Sequence, residues 1–98
     1  MALTNSQKKF LRQSAHHLNP TVWAGKNGIT DSLIAEIEEV LERNELIKIK
    51  CSLGDREERD AGIEEICERT NAELVQRIGN IVTIYKKNKE KPVIKLPN

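Results

Sequence analysis

The 98-residue chain is short of long apolar runs, cysteine, aromatics, glycine and proline, and each shortage excludes something. No apolar run exceeds three or four residues, so no segment of the sequence reads as a bilayer-spanning helix. Residues 1–10 carry Lys8 and Lys9 and no apolar stretch, so no secretory signal is expected there. Cys51 and Cys67 are the only cysteines, too few and too far apart for a disulfide scaffold or a Cys-x-x-Cys metal knuckle; reduced, buried thiols in a cytoplasmic protein are expected. Five glycines and three prolines, beside 38% hydrophobic and 32% charged residues, describe a folding sequence rather than a disordered one. A chain of this length makes one domain and buries roughly two thirds of its unfolded surface without needing metals or crosslinks.

Another absence is local. Residues 1–30 contain no acid, and Lys8, Lys9, Arg12 and Lys26 give that segment +4. Residues 31–73 hold fourteen acids against six bases, or −8, and residues 74–98 hold six bases against Glu90, or +5. The total of +1 conceals a dipolar chain, with one part suited to an anion and another that would repel it.

The patterning predicts seven elements. Thr4 to Gln7 forms a capping box opening a helix to about His17. Phe10, Leu11, Ser14, Ala15 and Leu18 share its apolar side, and Lys8, Lys9, Arg12 and His16 form an adjoining basic stripe. Asn19-Pro20 ends it. A short strand, Thr21 to Ala24, is broken by Gly25-Lys26-Asn27-Gly28, after which Thr30 caps a second helix. Leu33, Ile34, Ile37, Val40 and Leu41 are its apolar face, with Glu36, Glu38, Glu39 and Glu42 directed elsewhere. Glu45 to Leu53 alternates as a strand, Ile47, Ile49, Cys51 and Leu53 on one face and Leu46, Lys48, Lys50 and Ser52 on the other. A third helix from about Arg56 to Arg69 has a thin apolar face of Ala61, Ile63, Ile66 and Cys67.

Two strand-like runs, Glu73 to Ile78 and Ile81 to Lys86, flank Gly79-Asn80 as a two-residue hairpin. Regular pairing sets Ile78 opposite Ile81, Leu74 opposite Tyr85 and Val75 opposite Ile84, with apolar residues on both faces and hence at least partial cover on both sides. Residues 88–98 read as a loosely held, basic C-terminal tail after a domain spanning 1–87. The fold class is α/β (α+β), a single α-β-α-β-α-β-β domain. Its mixed four-stranded sheet has the first two strands parallel through right-handed crossovers.

Among the candidate sites, the loop Gly25, Lys26, Asn27, Gly28 stands between a strand and a helix N-terminus. Glycine allows close backbone approach and the helix start favours an anion, as in the glycine loop of KH domains. Taken alone, a lone Gly-x-x-Gly reads more readily as a plain turn. The stripe of Lys8, Lys9, Arg12 and His16 suits phosphates, and Lys48 and Lys50 extend it on the strand face. His16 and His17 point apart on a helix, with no further ligand at metal spacing. No P-loop, dinucleotide fingerprint or local nucleophile motif is present. Trp23 is a base-stacking candidate or a core residue; Tyr85 reads as core.

In order and spacing these motifs resemble the CRM (chloroplast RNA splicing and ribosome maturation) domain family, above all its free-standing bacterial YhbY-like members. The pieces are Leu3-Thr4, Gln7-Lys8, Leu11-Arg12, Ala15-His16, Leu18, Pro20 and Gly25 to Thr30. They continue with Ile37-Glu38, Glu45 to Lys50, Asp55-Arg56-Glu57, Gln76 to Gly79 and Tyr85. The resemblance covers residues 3 to about 87. It implies a fold similar to the C-terminal domain of bacterial translation initiation factor three. It also implies binding of structured RNA, with ribosomal RNA of large-subunit precursors as the usual bacterial context. Carried onto this chain, the family's surface picks out Gly25, Lys26, Asn27 and Gly28 with Lys8 and Arg12. Two departures are Lys86, where arginine is usual after the tyrosine, and Trp23, where an aliphatic residue is usual.

The expectation is therefore a non-enzymatic, cytoplasmic RNA-binding protein that joins a ribosome assembly intermediate. No cofactor, metal, small-molecule substrate or membrane is expected. The rivals are a protein-interaction module working through its acidic helices and a small enzyme, which needs a pocket with convergent titratable groups.

Overall fold

A computed structural model describes residues 3–25, 28–52, 54–88, 90, 92, 94 and 96. Helix α1 (Asn5–Ala15) begins at the predicted capping box: the Thr4 hydroxyl accepts from the Gln7 amide at 3.1 Å, and the Gln7 side chain accepts from the Thr4 amide at 3.0 Å. Strand β1 (Val22–Ala24) leads to α2 (Asp31–Asn44), then β2 (Leu46–Cys51), α3 (Arg56–Thr70), β3 (Glu73–Ile78) and β4 (Ile81–Tyr85). Thr30 and Asp55 cap α2 and α3 by accepting from Leu33 and Glu58 amides.

The sheet order is β1-β2-β4-β3, with β1 parallel to β2 and the remaining pairs antiparallel. Strand alternation divides the apolar residues between two layers. Val22, Ala24, Ile47, Ile49, Cys51, Val82 and Ile84 pack with Leu33, Ile34, Ile37 and Leu41 of α2 and Ile63 and Ile66 of α3. On the opposite face Leu46, Val75 and Tyr85 pack against Leu11 and Ala15 of α1. Both faces carry cover, complete against α2 and α3 and partial against α1, as the hairpin's two apolar faces predicted.

Three expectations are corrected. Ile78 does pair with Ile81, but Leu74 pairs with Ile84 rather than Tyr85, and Glu73 takes the place opposite Tyr85. The cause is a β-bulge between Leu74 and Gln76: Val75 is the extra residue, joins the α1 core, and shifts every pair beyond it by one. On α3, Gly62 rather than Ala61 is buried, because the helix lies with Gly62, Ile63, Ile66 and Thr70 inward. On α1, Leu18 and Ser14 are exposed, as the helix ends at Ala15 and Leu18 falls beyond it. Leu53 lies outside the described residues.

The C-terminal residues are not loosely held where they are described. Glu45 is fully buried at the end of α2, in a left-handed conformation (φ 61°), and its carboxylate accepts from the backbone amides of Asn88 and Ile94, both at 2.6 Å. Its carbonyl accepts from the Lys86 amide at 2.9 Å. Ile94 and Leu96 then pack against the α1 core. One residue thus ties the end of α2 to the segment after β4 by its carbonyl and to the chain end by its carboxylate.

Glu45→Ala should lower unfolding free energy by about 1–3 kcal/mol, since it leaves two half-buried amides without the carboxylate that now accepts from them. Glu45→Gln, which keeps an acceptor, should cost less. Urea denaturation checks this, and an alanine variant as stable as the parent would show that the chain end is not anchored there.

Candidate functional site

The β1–α2 connection forms where expected. The Gly28 amide donates to the Gly25 carbonyl at 3.0 Å, closing the four-residue loop, and α2 begins three residues later, behind its cap Thr30. Lys26 and Asn27 lie outside the described residues. The two glycines are there for different reasons. Gly28 has φ +71°, a left-handed conformation that other residues adopt at a cost. Gly25 has no such φ, and a Cβ added to it would meet nothing within 4 Å. Its missing side chain therefore leaves open space at the loop instead of serving the turn. A shallow cleft of about 240 Å³ lies beside it, lined by Trp23, Gly25, Gly28 and the first turns of α2.

Alternation places Lys48 and Lys50 on the α1 face of β2, both half-buried, as predicted. Helix α1 covers only one end of this face, the end of Leu46, Tyr85 and Val75. Strand rise puts Lys50 about 13 Å from Leu46, toward the end where β1 enters the glycine loop. Lys48 lies between, lining a cleft of about 320 Å³ with Ser14 and Leu18 near the end of α1. The β2 lysines thus occupy the ground between the basic helix and the loop. On α1 itself, Lys9, Arg12 and His16 are exposed and Lys8 is half-buried. Among the described residues, Lys8, Lys9, Arg12, Lys48 and Lys50 take part in no ion pair.

The other layer is arranged oppositely. Glu36, Glu38, Glu39 and Glu42 are exposed on α2. Ion pairs join Glu39 to Arg43 (2.7 Å), Asp31 to Arg69 (2.6 Å) and Glu65 to Arg69 (3.3 Å), and Asp60 of α3 to Arg77 of β3. The hydrogen bond from Arg77, reinforced by its charge, holds the Asp60 carboxyl below the usual carboxylate range. Arg69 of α3 and Arg77 of β3 are thus used up within this layer, where Arg56 and Arg59 stand among the acids, and the sheet separates the cations of α1 and β2 from a mostly acidic surface.

Catalytic chemistry finds little to work with. Each cleft has a single titratable side chain in its lining, Lys48 in one and Glu36 in the other. Among the described residues no group of three His, Cys, Asp or Glu side chains could hold a metal, and the exposed rings of His16 and His17 stand perpendicular to each other. Cys51 is buried and Cys67 half-buried, both free. Burial pushes both thiols up, Cys67 to about 11, with Glu73 adding to the effect there. Tyr85 is core, as read from the sequence. Trp23, left open between stacking and core, is 63% exposed. Its exposure was not legible from composition, although alternation between Val22 and Ala24 gave its side.

The profile of the CRS1 / YhbY (CRM) domain matches residues 3–86. The chain belongs to the CRM family. It is 42% identical over 95 residues to the probable RNA-binding protein YqeI of Bacillus subtilis, covering 97% of this chain and 99% of that one. It is 46% identical over 88 residues to a protein of Haemophilus influenzae named RNA-binding protein, covering 90% and 89% of the two chains. The solution structure of the hypothetical protein SAV1595 from Staphylococcus aureus superposes with a TM-score of 0.82 at 38% identity, covering 98% of this CRM domain and all of that chain. The α-β-α-β-α-β-β architecture is thus shared with a solved structure.

Two outcomes follow from the loop and the thiols. Gly28→Ala should destabilise by about 1–2 kcal/mol, from the left-handed conformation alone, whereas Gly25→Ala should stay within about 0.5 kcal/mol of the parent; chemical denaturation of both separates conformational need from open space. A thiol at about 11 in place of its ordinary 9.0 has about a hundredfold less thiolate at pH 8. Higher nucleophilicity of the more basic thiolate offsets part of this, so Cys67 should react with a disulfide reagent at least about tenfold more slowly in the folded protein than in urea, and equal rates would contradict the burial.

Proposed function

We propose that the chain binds structured RNA, specifically ribosomal RNA in a precursor of the large ribosomal subunit, as a cytoplasmic, non-enzymatic assembly protein. The observation that carries this reading is the division of charge across the sheet. Unpaired cations of α1 and β2 lie on one layer, and the acids of α2 and α3 on the other. The relatives named as RNA-binding proteins support the partner class.

The surface works by positioning a phosphate backbone. Lys8, Lys9, Arg12 and His16 of α1, with Lys48 and Lys50, meet phosphates and release counterions, which supplies affinity without base preference. The loop contributes a different contact: the open space at Gly25 lets its backbone come close to the nucleic acid, Lys26 adds charge, and Asn27 adds an amide. Gly28 holds the turn that presents them. The start of α2 behind the loop favours an anion. The acidic layer faces away from RNA, because its approach to phosphate is repulsive.

With four phosphate contacts, affinity for a folded ribosomal RNA fragment should fall by about 50- to 150-fold between about 50 and 200 mM salt. Replacing Lys8, Arg12 and Lys26 together by glutamate should abolish most of the binding, measured by filter retention. Full affinity in that triple variant would refute the assignment of the surface. Gly25→Ala, close to the parent in stability, should bind RNA more weakly by crowding the backbone approach.

A further inference from the structure

The cover that α1 gives to its face of the sheet stops short, and what it leaves open is a single row crossing all four strands. Trp23 pairs with Lys50, Lys50 with Ile81, and Ile81 with Ile78, and alternation directs all four side chains to the same face. Trp23 is 63% and Ile78 66% exposed at the two ends, while Lys50 and Ile81 are half-buried between them. The row is about 14 Å long from the spacing of the strands. The next row toward α1, Lys48, Thr83 and Gln76, likewise contains no carboxylate. Of the two rows only Thr83 is buried, and an exposed tryptophan and an exposed isoleucine mark the ends of the outer one.

We propose that this row is a stacking platform for unpaired nucleotides that flank the structured RNA held by the basic surface and glycine loop; the inference rests on the RNA-binding reading. Three features select nucleobases over an apolar protein segment. The indole offers a flat face on which any base stacks, and the isoleucines extend an apolar floor beyond it. Lys50, in the middle of the row, and Lys48 behind it provide charge for the phosphates that travel with the bases, and neither row contains an acid. Trp23 is also two residues from Gly25, so a strand leaving the loop reaches the platform directly, past a cleft whose lining carries one acid, Glu36 of α2. A four-stranded sheet of this width accommodates about two or three bases.

Trp23 is the only tryptophan, so intrinsic emission reports on this position alone. Two RNAs provide the test: one ribosomal stem-loop, blunt, and the same stem-loop with four unpaired adenines at its 3′ end or, in a second preparation, its 5′ end. Labelled-RNA anisotropy measures affinity for each. An extended RNA should bind more tightly than the blunt one and quench Trp23 emission. Trp23→Ala should weaken the extended complex by about 5- to 150-fold, the equilibrium value of one stacked base, and leave the blunt complex within about twofold. Trp23→Phe, which keeps a smaller ring, should retain most of the difference, and circular dichroism verifies that both variants fold.

Binding of the labelled RNAs with no quenching, and with Trp23→Ala unaltered on both extensions, would overturn the platform while leaving RNA binding intact. An equal loss on blunt and extended RNA would overturn it too, as would a concentration-dependent Trp23 emission shift without RNA, which would mark the row as a contact between copies. Failure of either RNA to bind the parent would defeat the RNA-binding reading itself.

Discussion

The alternation of β2 is the constraint from which the remaining structure follows. This strand lies between β1 and β4, and its two residue sets do unlike work: Ile47, Ile49 and Cys51 enter the α2/α3 core, while Leu46, Lys48 and Lys50 face the α1 side. A slip of one residue would drive two lysines into an apolar core and expose the branched residues, a penalty of many kcal/mol that pins the register. The same register puts Lys50 beside Trp23 and across from Ile81. The core and the charged surface are therefore specified by one pattern, and neither can be altered without the other.

Glu45 sets the ends of that strand. A buried acid with a left-handed backbone is a poor local choice, and it persists because the surrounding groups require it: α2 must stop, β2 must start, and the amides of Asn88 and Ile94 need an acceptor. The contact draws the chain end onto the α1 core through Ile94 and Leu96. Placement of α1 over the Leu46 end of the sheet, and exposure of the Trp23 end, are consistent with extra apolar cover being supplied only there.

What the sequence made legible follows from the range of each signal. Caps, periodicities and the Gly79-Asn80 turn are local, and Thr4, Thr30 and the β2 alternation all appear as read. The bulge at Val75 leaves no local trace, since Leu74, Val75 and Gln76 fit a regular strand equally well; only the demand of the α1 core for an apolar residue selects it. Glu45 reads as an ordinary polar start to a strand because its partners are over forty residues away. Of the candidate site, the residue types and strand faces were readable. The distance along β2 between α1 and the loop, and the uncovered row, depend on where α1 lies, which no spacing in the sequence encodes.

The near-neutral total charge acquires a meaning from this arrangement. A uniformly basic protein of this size would adhere to any RNA in any orientation, because phosphate attraction is indifferent to the face presented. Here the acids of α2 and α3 oppose contact through one layer, and Arg43 and Arg69 are paired within it. The cations of α1 and β2 remain unengaged on the other. The resulting dipole turns the domain as it approaches a polyanion, so that long-range attraction and orientation arise together and decay together with ionic strength. On the proposed function, specificity then comes from short-range features that only the oriented face offers: a loop open at Gly25, and the exposed row from Trp23 to Ile78, proposed to take unpaired bases.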